Sequence, residues 1–216
     1  MEKTIINKTS EFVRKKLSDD CSGHDWWHCY RVYKIATRIG KIENADLFIV
    51  KLSALLHDIS DWKFNNGDEK LGGKIAGRWL KSIGVDNGTI SSVCEIIDAL
   101  SFKGNDSIEK MRTLEGMVVQ DADRLDAIGA IGIARAFAYG GYKHRNIYEP
   151  GVKPKKHQNF EQYKKNKGST INHFYEKLLL LKGLMNTKTA KKIATGRHFF
   201  MENFLKEFFE EWDVSS

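Results

Sequence analysis

The sequence predicts an all-α protein. Apolar residues recur every three or four positions in one segment after another, which is the spacing of an amphipathic helix. No segment alternates apolar and polar residues as a half-buried strand does. Only two of the 216 residues are proline, Pro150 and Pro154, so nothing before them breaks a helix by lacking an N–H. A chain of this length, 41% hydrophobic, can bury a core of its own. It has no internal repeat and no linker-like composition, so one domain over residues 1–216 is expected.

The elements follow in order. Thr4 to Leu17 reads as a short helix with Ile5, Phe12, Val13 and Leu17 apolar, and the run from Asp19 to Gly23 ends it. His24 to Ile39 is the next helix. Its inner face holds Val32, Ala36 and Ile39, and stepping back by fours from Val32 gives His28 and then His24. Asp46 to Ser60 is a third helix, with Leu47, Val50, Ala54, His57 and Asp58 on one stripe. Glu69 to Ile83 follows, capped by Asp68, and then Thr89 to Leu100. The longest helix is expected from Arg112 to Tyr139. It embeds Asp121, Asp123 and Asp126 among apolar residues, and the face of Asp123 continues into Ala127, Ala130 and Ala134. Residues 140–169 hold both prolines and read as a long loop or lid. Thr170 to Met185 is an amphipathic helix, and Thr187 caps a last one reaching Trp212.

Composition narrows the function classes. No apolar run approaches the length of a membrane span, and the N-terminus has no apolar signal core. Three cysteines with no Cys-x-x-Cys pair favour a reducing cytoplasm over a disulfide framework. The net charge of +7 is local: between Gly140 and Gly168 eight Lys/Arg stand against two Glu. Such a segment suits a phosphate-bearing ligand better than general nucleic-acid coating.

The doublet His57-Asp58 closes an apolar run, Leu52-Ser-Ala-Leu-Leu-His-Asp58. Burying an imidazole and a carboxylate there is costly without a compensating partner, and a bound cation is one. His28 and Asp123, on other core-facing stripes, are candidate co-ligands. Taken alone, the His-x-x-x-His of residues 24 and 28 suits hydrogen-bonded core histidines better than ligands. Two imidazoles and two carboxylates make a mixed N/O set for Mn, Fe, Ni, Co, Zn or Mg. A divalent ion so held lowers the pKa of a water to about 7 and offsets charge on a phosphoryl oxygen.

His28, the pair His57-Asp58 and the distant Asp123 resemble the metal-binding pattern of the HD-domain superfamily of metal-dependent phosphohydrolases. The flanks are similar to one bacterial subgroup, the nucleoside triphosphate pyrophosphohydrolases. They are Gly23-His-Asp-Trp-Trp-His28, Leu55-Leu-His-Asp-Ile-Ser-Asp-Trp-Lys63, Asp121-Ala-Asp-Arg-Leu-Asp126 running on to Arg135, and Asn172-His-Phe-Tyr-Glu-Lys-Leu-Leu179. The resemblance covers nearly the whole chain. It implies an HD-type helical bundle with a core of about 24–139 and 170–212 and a basic loop at 140–169. It implies one divalent ion, Mn above the others, on His28, His57, Asp58 and Asp123. Asp61 would position the attacking water, although a surface carboxylate at a helix end reads the same way. Arg31, Lys63, His173 and Lys177 would contact substrate phosphate, and His24 would orient a ligand from behind. Between Asp58 and Asp123 there is no histidine, so the extra ligands of two-metal HD proteins are missing.

The expected activity is hydrolysis of a (deoxy)nucleoside triphosphate to the monophosphate and pyrophosphate in the cytoplasm. The expected partner is a small phosphorylated substrate, a nucleotide, with no membrane and no nucleic acid; a homodimer is open. A phosphodiesterase, a 5′-nucleotidase or an alarmone hydrolase would use the same ion. A nucleotide-binding module would use the fold without chemistry.

Overall fold

The computed structural model describes residues 1–17, 25–59, 71–100, 111–155 and 168–213. Among these residues the structure is helical, with no strand. The chain forms two compact units, one reaching Asp123 and the other continuing from Arg124. No described helix is long and apolar enough to cross a membrane.

The first unit contains α1 (Glu2–Lys16), α2 (Trp26–Glu43), α3 (Leu47–Leu56), α4 (Leu71–Ser82), α5 (Asn87–Ala99) and most of α6 (Leu114–Asp126). The strongly apolar α3 lies at its centre, packed against α1, α2 and α5. Its Leu52, Leu55 and Leu56 join Val13, Cys29, Leu80 and Val93 in one buried cluster. Burial of this kind contributes about 25 cal/mol per Å² of apolar surface, so packing rather than intrinsic helix preference holds these elements. At the edge of the cluster, Phe12 stacks on Trp79 at 4.1 Å, and the Trp79 indole N–H donates to the buried Thr9 hydroxyl.

Several helix starts have side-chain caps. Asp46 accepts from Phe48 N and Ile49 N at the start of α3, and Asp86 accepts from Thr89 N at the start of α5. Helix α2 begins later than the periodicity implied. Its cap is Asp25, which accepts from His28 N at 2.7 Å. The proposed cap Asp68 lies outside the described residues.

The second unit holds α7 (Gly129–Tyr142), α8 (Thr170–Glu176), a 3-10 helix (Leu178–Leu184) and α9 (Lys188–Trp212). Two expectations are corrected here. The helix read from Arg112 to Tyr139 is two helices, α6 and α7. Ile128 is extended and Gly129 has φ +78°, a conformation that glycine takes without penalty. The face of Asp123 therefore does not continue into Ala130 and Ala134. Likewise the helix read over 170–185 breaks at Lys177, with φ −143°, and tightens into 3-10 geometry. The C-terminal helix agrees with expectation: Thr187 accepts from Ala190 N at 3.2 Å.

Arginines secure the end of α6. Asp126 is 1% exposed and accepts from Arg135 at 2.8 Å. Arg197 donates to Leu125 O, and Arg124 donates to Leu184 O. Burial pushes the Arg197 guanidinium below its usual range, while Asp126 pulls it back up. A Cβ at position 129 would meet the Arg197 stem at 3.0 Å, a second reason for glycine there. Arg135→Met removes the charge-assisted hydrogen bond to Asp126 while Arg197 still faces that carboxylate, and is expected to lower unfolding stability by about 1–3 kcal/mol. Urea denaturation measures this, and a loss below about 1 kcal/mol would mean that Asp126 is compensated elsewhere.

Candidate metal centre

Three elements bring four polar side chains to one point. His28 sits in the first turn of α2, where Asp25 fixes its backbone N–H. Its ring is 1% exposed. His57 ends α3, and Asp58 follows in the turn that Ile59 N closes on Leu56 O at 3.1 Å. Asp123 lies in the last turn of α6.

Nε2 of His28 is 3.2 Å from Nε2 of His57 and 3.2 Å from Oδ2 of Asp58. It is 3.4 Å from Oδ1 of Asp123. From Nε2 of His57 the same two carboxylate oxygens are 3.5 and 3.8 Å away. The tautomer of His57 follows from its other nitrogen. Nδ1 lies 2.9 Å from Ala54 O, and a carbonyl can only accept, so Nδ1 carries a proton. The lone pair of a neutral His57 is then on Nε2, facing the cluster.

Two carboxylates this close to two buried imidazoles call for a cation. Donors bound about 2.1 Å from one ion lie about 3.0–3.4 Å apart in octahedral or tetrahedral geometry. The observed separations are similar, and the N/O donor set suits a borderline or hard divalent ion. His28, His57 and Asp58 form a compact group able to hold one metal, and α6 brings Asp123 Oδ1 within 3.4 Å of the His28 ring.

Protein crowding around Asp123 pushes its carboxyl pKa up. The hydrogen bond from His28 and the positive charge of His57 and His28 outweigh this and hold it at about 2. A carboxylate with a lowered folded-state pKa contributes stability above its unfolded value near 3.9, and that contribution fades as the pH falls towards 2. Asp123→Asn in metal-free protein is expected to flatten the stability profile between about pH 4 and 2. Acid titration followed by circular dichroism measures it; an unchanged slope would remove Asp123 from the charge network.

The remaining candidates fall in different places. Arg31 lies one turn after His28 on α2, half-buried. His173 and Lys177 belong to the second unit, still one turn apart, with Lys177 N donating to His173 O. His24, Asp61 and Lys63 lie outside the described residues. The sequence reading missed Asp25, which anchors the turn of α2 that carries His28, and Arg197, which caps α6 at Leu125 O, two residues after Asp123. An Asp three residues before a core histidine was the available signal for the first. Nothing local marks the second.

Comparison with known proteins places the site in a family context. The family model "HD domain" matches residues 26–128. YpgQ of Bacillus subtilis is 41% identical over 91% of this chain and 88% of its own length. A crystal structure of YpgQ in complex with ADP superposes with a TM-score of 0.75, covering 97% of this chain and 98% of that one at 36% identity. An HD-superfamily hydrolase of Bacillus thuringiensis superposes with a TM-score of 0.79 and 42% identity over the full length of both chains.

Proposed function

Since the chain belongs to the HD superfamily and is a metal-dependent phosphohydrolase, we propose that it hydrolyses (deoxy)nucleoside triphosphates to the monophosphate and pyrophosphate. The observation that carries the substrate class is the ADP complex of the closely similar YpgQ. The local basic segment after Gly140 supports a polyphosphate as well.

In this reading His28, His57, Asp58 and Asp123 hold one divalent ion, Mn2+ in preference to Mg, Ni, Co, Fe or Zn. That ion supplies positive charge for a phosphoryl oxygen and lowers the pKa of a water. The residues themselves have separate tasks. Ala54 O fixes the His57 ring, so its lone pair needs no reorientation when the ion arrives. Asp61, four residues after His57 in sequence, holds the attacking water and receives its proton. Water adds to the α-phosphorus, the bond to the α,β-bridging oxygen breaks, and pyrophosphate leaves with the electron pair. Arg31, Lys63, His173 and Lys177 offset charge on the polyphosphate, and His24 orients a neighbouring group. Among the described residues Cys29 and Cys94 are in no disulfide, which suits a cytoplasmic setting.

A screen of nucleotides with Mn, Mg, Ni and Co, reading pyrophosphate and orthophosphate separately, tests this. Pyrophosphate from triphosphates is expected. Orthophosphate released from monophosphates alone would replace the reading with a nucleotidase.

A further inference from the structure

Helix α9 carries an apolar exposure that the chemistry does not use. Phe199 is 62% exposed and Phe200 51%, side by side at the midpoint of a 25-residue helix. Ile131 of α7 is 47% exposed. With Gly196 and Arg197 it helps line an open concavity of about 330 Å³ against Phe200. Three large side chains left in water at one place mark an interaction surface rather than scattered surface hydrophobics.

The charges on α9 identify the occupant. The exposed stripe through Phe199 and Phe200 has Lys188 and Lys192 before it and Glu207, Glu210 and Glu211 after it. One further cation, Lys206, is paired within the helix to Glu210 at 3.5 Å. One half of the stripe is basic and the other half is dominated by acids, with the phenylalanines between. A stripe of this form complements its own reverse. A two-fold axis between Phe199 and Phe200 sets Lys192 opposite Glu207 and Lys188 opposite Glu211 of a second copy. It also sets Gly196 opposite Asn203. Nothing lies within 4 Å of where a Cβ on Gly196 would sit, so a second helix can approach closely there.

We infer that α9 is a self-association surface, on which two copies of this chain pair their α9 helices antiparallel about a two-fold axis at Phe199–Phe200. Phe199 of each copy enters the concavity beside Phe200 of the other. Such an interface is self-complementary, as a two-fold dimer requires. Its aromatic centre supplies buried area, and the end charges set direction and register.

Sedimentation of the full chain tests the arrangement. Wild type is expected at twice the 24.7 kDa chain mass, and Phe199→Asp at the single-chain mass with unchanged circular dichroism. Lys192→Glu is expected to weaken the dimer about tenfold, because symmetry doubles each lost pair, and adding Glu207→Lys is expected to restore it. Phe199→Cys is expected to form a disulfide-linked dimer under mild oxidation. A single-chain mass for wild type would leave this face to an unlike partner and overturn the proposal. A dimer indifferent to Phe199→Asp, or a charge reversal without rescue, would overturn it too.

Discussion

Asp58→Ala is expected to lose both the bound divalent ion and turnover. Oδ2 of Asp58 lies 3.2 and 3.5 Å from the two imidazole nitrogens, so it supplies negative charge where those rings offer only lone pairs. Removing a group that merely orients a ligand weakens metal binding about 10–100-fold, and deleting a ligand should exceed the upper end of that range. Metal analysis of dialysed protein, with circular dichroism to verify the fold, gives the answer. A variant that retained full metal content and activity would eliminate Asp58 as a ligand.

The second large effect is expected at Asp61. Asp61→Ala should keep metal content near wild type while kcat falls about 10²- to 10⁴-fold, the range for losing a positioned acid–base group. KM should change little, because the ion and the phosphate contacts remain. The separation of metal content from kcat is the informative part. A large loss of metal would make Asp61 a ligand, and an unchanged kcat would make it a surface carboxylate.

The metal-centre candidates were legible because two patterns coincide. His28, His57 and Asp58 are polar residues on stripes otherwise given to Val, Leu and Ala, and a polar residue on such a stripe stands out against the helical period. Their convergence on Asp123 was not legible from period alone; the resemblance carried that step. The break between α6 and α7 was hidden for a physical reason. Ala127 and Ile128 continue an apolar run, and Gly129 costs a helix only about 1 kcal/mol. What ends α6 is the capping of Leu125 O by Arg197, 72 residues away, together with the burial of Asp126 against Arg135. The 3-10 stretch after Lys177 was hidden in a similar way, since Leu178 to Leu181 is apolar on every face and its period identifies no particular helix type.

The four donor atoms come from residues 28, 57, 58 and 123, so one ion would tie together segments 95 positions apart in the chain. That makes the ion a reversible cross-link as well as a reagent. A ligand that binds only the folded chain raises its stability by RT ln(1 + [L]/Kd), about 2.7 kcal/mol at a hundred times Kd. Melting curves recorded in each divalent cation would therefore rank metal preference with no substrate present. They would also report the integrity of this knot in variants too inactive to assay.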